Sequence, residues 1–113
     1  MGVTGVDAKG RVLVEAERGP QVKFAAPGAD MAAARPPQGY ALVRGTSFAS
    51  PIVAGLLALD LQSPDKAAAE EAVAALARRA VDLGTPGLDP VYGYGLVGAE
   101  LRRQPALAGL RAD

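Results

Sequence analysis

The sequence of 113 residues contains no cysteine, no histidine and no asparagine. The lack of cysteine excludes disulfides, thiolate chemistry and cysteine metal sites. The lack of histidine removes the side chain that most often acts as a general base. Asparagine is one of the side chains that stabilise a developing oxyanion, and it is missing as well. These absences limit the hydrolytic chemistry that the chain alone can perform.

An excess of positive charge is also missing, because 12 Lys and Arg residues balance 12 Asp and Glu residues. Nucleic acids and anionic membranes select basic surfaces, so neither is an expected partner. No apolar run reaches membrane-spanning length, and no apolar signal segment follows Met1.

Aromatic residues are few, with 3 Tyr and 2 Phe, although half of the residues are apolar. Small apolar side chains bury little area each, which predicts modest stability per residue. The 14 Gly and 9 Pro residues indicate many turns.

The first half of the chain is predicted to form short strands. Strands are expected at residues 2–6, 11–16, 21–26 and 39–43, with a turn at 7–10. Residues 29–38 are Ala-rich, contain two adjacent prolines and are predicted to be a surface loop.

An apolar helix is predicted up to Leu61, and we expect it to be buried on every side. Its start is open between two alternatives. Ser50 is the N-cap with Pro51 at the first helical position, or the helix begins near Thr46 or Ser47.

A second, amphipathic helix is predicted to follow, with Ser63 as its cap and Pro64 at its first position. Its expected packing face is formed by Ala69, Val73, Leu76, Ala77 and Ala80. Residues 81–90 are predicted to be a loop, and residues 98–104 a last short helix.

Residues 45–51, Gly-Thr-Ser-Phe-Ala-Ser-Pro, contain the strongest candidate for a catalytic group. A serine nucleophile needs an exposed turn, a base and donors for the oxyanion. A glycine turn at a helix start supplies exposure and free N–H groups. On pattern alone, however, a Thr or Ser before an apolar helix is most often a cap.

The residues that follow extend this motif to Ile-Val-Ala-Gly, and the whole of 45–55 closely resembles the serine signature of the subtilisin-like serine proteases (subtilases, peptidase S8). Three further blocks resemble the family in the expected order. They are residues 2–7, residues 22–28 ending in Ala-Pro-Gly, and residues 89–99 with Gly-Tyr-Gly-Leu-Val. The resemblance covers nearly the whole chain.

The resemblance implies an α/β fold, the C-terminal portion of a mainly parallel sheet with packed helices and an antiparallel excursion around residues 7–26. It makes residues 1–113 one partial catalytic domain, incomplete as an isolated chain. Apart from the resemblance, the tail at 106–113 is expected to fray, because little in its sequence holds it down. The resemblance implies that Ser47 is the catalytic nucleophile, with its own N–H as an oxyanion donor. Gly45 and Thr46 support the turn.

A subtilase also needs an Asp and a His from earlier in its chain and an oxyanion Asn, and this sequence has no His and no Asn. We therefore expect the isolated chain to be inactive and a longer parent protein to be a serine endopeptidase. The alternative is a non-catalytic, subtilase-like binding or scaffolding module.

The partners that this reading implies are a polypeptide substrate and the missing N-terminal part of the same catalytic domain. No cofactor is expected in this chain, and calcium in the parent protein is left open. The family resemblance favours a secreted or cell-envelope parent, while the sequence itself leaves the compartment unknown.

Three acidic residues, Asp7, Asp30 and Asp89, are candidate acids or calcium ligands. Each follows a predicted strand or lies in a turn, which favours a turn or capping role. Residues 29–44 lead into the serine and are expected to border the substrate cleft.

Overall fold

The computed structural model describes residues 1–102. Its elements in chain order are β1 (Gly2–Val6), β2 (Val22–Pro27), β3 (Met31–Ala34), β4 (Tyr40–Val43), α1 (Thr46–Asp60), α2 (Lys66–Arg79) and a 3-10 helix (Ala99–Leu101). The α/β class is as predicted. The predicted tail at 106–113 and the end of the last predicted helix lie outside the described residues.

The parallel pair of strands β1 and β2 forms the centre of the fold, with Val3 opposite Phe24 and Gly5 opposite Ala26. On the other side of β2, Ala25 and Leu96 form a parallel bridge. The segment at 94–97 is hydrogen-bonded along β2. The parallel arrangement agrees with the prediction. Parallel strands need a long connection rather than a tight hairpin, and residues 7–21 form this connection between β1 and β2.

The antiparallel part of the fold lies further along the chain than predicted. Strands β3 and β4 pair antiparallel, with Met31 opposite Val43 and Ala34 opposite Tyr40. The prediction of a loop at 29–38 was therefore wrong in part. Pairing with β4 supplies the backbone hydrogen bonds of β3, and the Ala-rich sequence of β3 does not by itself indicate a strand.

The predicted strand at 11–16 is absent. Val12 forms a single antiparallel bridge with Val6, and the N–H of Ala16 then donates to the carbonyl of Leu13 at 3.0 Å. That bond closes a turn, and Val14 is 93% exposed because no strand lies beside it.

Helix α1 packs across β1 and β2 and builds the core with them. The buried core residues are Phe24, Ala26, Ala49, Val53, Leu76 and Val97. Phe24 and Ala26 lie on one face of β2 because strand side chains alternate.

The prediction that α1 is buried on every side was wrong. In this helix only Ala49 and Val53 are buried, while Ala54, Gly55 and Ala58 are exposed. Leu59 is 82% exposed. Within residues 1–102, the sheet and α2 cover one side of α1, and its other apolar side faces solvent.

Helix α2 begins two residues later than predicted, after Asp65 rather than after Ser63. The carboxylate of Asp65 accepts a hydrogen bond from the N–H of Ala68 at 2.8 Å, and it also accepts from the hydroxyl of Ser63 at 2.7 Å. The predicted cap thus supports the actual one. On the inner face, Ala72 and Leu76 are buried.

Across residues 1–102, neither helix has the length and apolar character needed to cross a bilayer.

Candidate active site

Ser47 is the second residue of α1 and is exposed to solvent. The helix begins at Thr46, so the earlier of the two predicted starts is correct and Ser50 is not the N-cap. The first N–H groups of a helix have no acceptor within the helix. Those of Thr46 and Ser47 therefore remain available beside the serine hydroxyl, at the end of α1 that attracts negative charge.

Gly45 is the N-cap, and its backbone has φ 144 and ψ 151. This conformation favours glycine, because L side chains rarely adopt it. A Cβ at this position would lie 3.4 Å from the Oγ of Ser47. Glycine thus allows the turn and leaves the serine hydroxyl uncovered.

Pro51 lies inside α1, four residues after Ser47. A proline has no N–H, so the carbonyl of Ser47 lacks its usual donor from the next turn. The hydroxyl of Ser50 makes one contact in the same turn, donating to the carbonyl of Thr46 at 3.4 Å.

Backbone hydrogen bonds hold the serine turn against the ends of the parallel strands. The N–H of Gly45 donates to the carbonyl of Gly28 at 2.7 Å, and the N–H of Gly28 donates to the carbonyl of Val6 at 2.9 Å. Ser47 consequently lies beyond the carboxyl ends of β1 and β2, where ligands commonly bind in open α/β sheets.

Charged residues surround this edge as ion pairs. Arg44 donates to both carboxylate oxygens of Glu15, at 2.9 and 2.8 Å. Hydrogen bonding by Arg44 lowers the pKa of Glu15, and the same contact with Glu15 raises the pKa of Arg44. This pair joins the turn at 13–16 to the residue that precedes Gly45.

The three candidate acidic residues all accept hydrogen bonds from backbone N–H groups, and Asp7 and Asp89 do so within local turns, as predicted. Asp7 accepts from the N–H groups of Lys9 and Arg11, and Asp30 accepts from that of Ala8 at 3.0 Å. Burial tends to raise the pKa of Asp7, but the bonds from Arg11 and Lys9 outweigh it and the pKa is lowered. In the part of the chain that the structure describes, no group of acidic side chains is arranged to hold a metal ion.

The structure thus places Gly45, Thr46 and Ser47 together at the start of α1, and their roles in catalysis stay predictions. Sequence reasoning did not identify Gly28 as the acceptor for Gly45, nor the pairing of Glu15 with Arg44. A hydrogen bond between residues 17 positions apart leaves no local pattern. The Ala-Pro-Gly block at 26–28 was the available signal for Gly28.

The comparison with protein families decides the identification. The model of the subtilase family, Peptidase_S8, matches residues 1–95. The chain belongs to the subtilase family.

Similar proteins are extracellular proteases by name. The subtilase chain is 33% identical over 95 residues to the minor extracellular protease Epr of Bacillus subtilis (strain 168), with 84% of this chain and 15% of Epr covered. It is 35% identical over 101 residues to the halolysin-like extracellular serine protease Nep of Natrialba magadii, with 89% and 18% covered. This subtilase chain thus spans less than a fifth of either relative.

Solved subtilase-like structures share the fold. A lanthipeptide protease superposes with a TM-score of 0.73 at 28% identity, covering 87% of this chain and 38% of that one. The serine protease MycP1, described as an essential component of the type VII (ESX-1) secretion system, gives 0.68 at 29% identity, covering 87% and 29%. The structural neighbours therefore contain much more chain than residues 1–102.

Proposed function

We propose that this chain is the serine-bearing part of a serine endopeptidase and that Ser47 is its nucleophile. The observation that carries the proposal is the exposed Ser47 at the start of α1, after the glycine turn. Family membership over residues 1–95 supports the reaction class.

In the proposed reaction, the Oγ of Ser47 attacks the carbonyl carbon of a peptide bond and loses its proton to a base. The tetrahedral oxyanion accepts hydrogen bonds from the N–H of Ser47 and from a second donor. The C–N bond then breaks, the amine leaves with the proton, and water hydrolyses the acyl-serine ester. Gly45 and Thr46 hold the turn.

The base, its orienting acid and the second oxyanion donor come from outside this chain, because the sequence has no His and no Asn. A general base contributes about 10²–10⁴ in rate. The isolated chain is therefore inactive. The chemistry needs no cofactor from this chain, and calcium binding by the parent protein stays a prediction.

The proposed partner is the N-terminal part of the same catalytic domain. Its contact surface includes the exposed apolar side of α1, where Ala54, Gly55, Ala58 and Leu59 face solvent. A parallel sheet is normally covered and extended by further elements, whereas β1 and β2 form a pair here. The substrate is a polypeptide. The extracellular relatives favour a secreted or cell-envelope parent.

A fluorophosphonate probe, which reacts with activated serine hydroxyls, tests the proposal. The parent protein should be labelled at Ser47, and Ser47→Ala should abolish labelling. Ser50→Ala is the matched control, because Ser50 is also exposed in the first turns of α1. It should retain labelling.

The isolated chain should remain nearly unlabelled by the same probe. Rapid labelling of the isolated chain would overturn its proposed inactivity. A folded parent protein that the probe does not modify would instead support the non-catalytic binding or scaffolding module.

A further inference from the structure

Three glycines meet where β1 and β2 end and α1 begins. Gly5, Gly28 and Gly45 form this contact, here called the glycine junction. A Cβ on Gly28 would lie 2.9 Å from the Cα of Gly5 and 3.0 Å from the carbonyl oxygen of Gly45. Both atoms belong to the backbone and cannot rotate away as a side chain does.

Gly5 lies on the opposite side of this contact. A Cβ on Gly5 would lie 3.3 Å from the Cα of Gly28 and 3.5 Å from the Cα of Thr46. Its nearest neighbour would be the Cδ1 of Leu13, at 3.2 Å. Gly5 and Gly28 are both buried, so the three segments approach each other through backbone alone.

The junction also carries the hydrogen bond that positions the serine turn. The N–H of Gly45 donates to the carbonyl of Gly28 at 2.7 Å. A side chain on Gly28 would therefore press against the carbonyl of Gly45. It would also displace the carbonyl of Gly28, which accepts the hydrogen bond from the N–H of Gly45. Gly45 is two residues from Ser47, so its displacement moves the nucleophile.

We propose that Gly28, packed against Gly5, is a positioning residue for Ser47. Gly28 fixes the start of α1 relative to the parallel strands. The proposal rests on the proposed function of Ser47. Reacting groups must be held closely, and a misplacement of about 1 Å costs about 10² in rate. The absence of a side chain at Gly28 thus sets where the hydroxyl of Ser47 lies.

Alanine substitutions separate this steric role from backbone strain. Gly5, Gly28 and Gly55 all have φ values outside the positive range that alanine avoids. Gly55, on the exposed side of α1, has no atom within 4 Å of a Cβ. Gly55→Ala is therefore the matched control for Gly28→Ala.

The first experiment uses the full 113-residue chain and measures amide hydrogen exchange by NMR. Gly28→Ala should accelerate exchange of the Gly45 amide about tenfold relative to amides in the middle of α1, the factor expected for one lost hydrogen bond. Gly5→Ala should show a smaller effect, because Leu13 can move. Gly55→Ala should show none.

A uniform acceleration throughout α1 would overturn the proposal, because it would indicate general destabilisation. If the Gly28→Ala chain does not fold, the milder Gly5→Ala decides, and combining it with Leu13→Ala should restore part of the Gly45 protection. Unchanged exchange in Gly5→Ala would also contradict the junction.

The second experiment measures kinetics in the parent protein. Gly28→Ala should lower kcat and the rate of probe labelling about 10²-fold with KM little changed. An unchanged kcat would overturn the positioning role. A wild-type protein that is not labelled would contradict the proposed function, while the exchange data would still decide whether Gly28 holds the turn.

Discussion

Asp89 fixes the segment that closes the fold along β2. It is 6% exposed, and its Oδ1 accepts from the N–H groups of Val91 and Tyr92 at 2.8 and 2.7 Å. The backbone of Asp89 also exchanges two hydrogen bonds with Gly93. Its Oδ2 is buried without a hydrogen-bond partner among the described residues.

Asp89→Ala should therefore lower the free energy of unfolding by about 1–3 kcal/mol, since two partly buried N–H groups lose their acceptor. Asp89→Asn keeps an oxygen for these N–H groups and should cost less. Urea unfolding of both variants measures the difference. Equal losses would show that the carboxylate charge, rather than its hydrogen bonds, stabilises the turn.

Single residues were predictable where their signal was local. Gly45 and Ser47 lie within one short motif, which marked them as candidates, although residues 45–51 left two possible helix starts. Gly5 and Gly28 became significant only through their approach in space. A glycine in a sequence does not show how closely another backbone passes in the folded chain.

At the scale of elements, the amphipathic helix α2 was predicted well in its body and less well at its start. The sequence predicted Ser63 as the cap and Pro64 at the first helical position. The helix uses Asp65, which accepts from both Ser63 and Ala68. The choice among adjacent caps depends on side-chain geometry that spacing does not determine.

The cap of α2 makes a prediction about pH. The hydrogen bond from Ser63 and then that from the N–H of Ala68 lower the pKa of Asp65 below its ordinary value of 3.8. A lowered pKa in the folded state stabilises the fold above the unfolded value, and this contribution disappears as pH falls through the lower folded value. Stability from Asp65 should thus be lost below about pH 3.8.

Asp65→Ala should lower the thermal unfolding temperature at pH 7. Asp65→Asn should lower it less, because asparagine also caps helices. Circular dichroism melts between pH 2 and pH 7 measure this. The gap between the wild type and Asp65→Ala should narrow at low pH. A gap that stays constant across this range would contradict the role of the ionised carboxylate.

Whether a segment forms a strand depended on its pairing partner more than on its own sequence. Strands β1 and β2 carry apolar residues that predicted them, whereas β3 is a run of Met and Ala that exists through pairing with β4. The segment at 11–16 has apolar residues but lacks a partner strand beyond the Val6 bridge. Pairing partners, rather than composition, decided both outcomes.

The molecule as a whole has one apolar surface that its described residues leave open. The sequence predicted a partial domain, incomplete as an isolated chain, but it also predicted that α1 is buried on every side. Periodicity could not reveal the open side, since α1 is apolar all round and a helix of this kind shows no stripe. Which side faces solvent depends on where the sheet and α2 pack against α1.

This surface predicts that the isolated chain associates. Leu59 is 82% exposed and Leu61 43% exposed, next to the exposed residues Ala54 and Ala58. Contiguous exposed apolar residues favour contacts between copies. The formal net charge of zero supplies no repulsion to oppose them.

Leu59→Lys should shift the isolated chain toward monomer in sedimentation velocity experiments, while changing the free energy of unfolding by no more than about 0.5 kcal/mol. Val14→Lys is the matched control, because Val14 is 93% exposed but lies on the turn at 13–16. It adds the same charge away from α1 and should leave association less affected. An isolated chain that is monomeric at high concentration and unfolds in one sharp transition would contradict the open surface. Equal effects of the two lysines would attribute association to net charge instead of to the apolar side of α1.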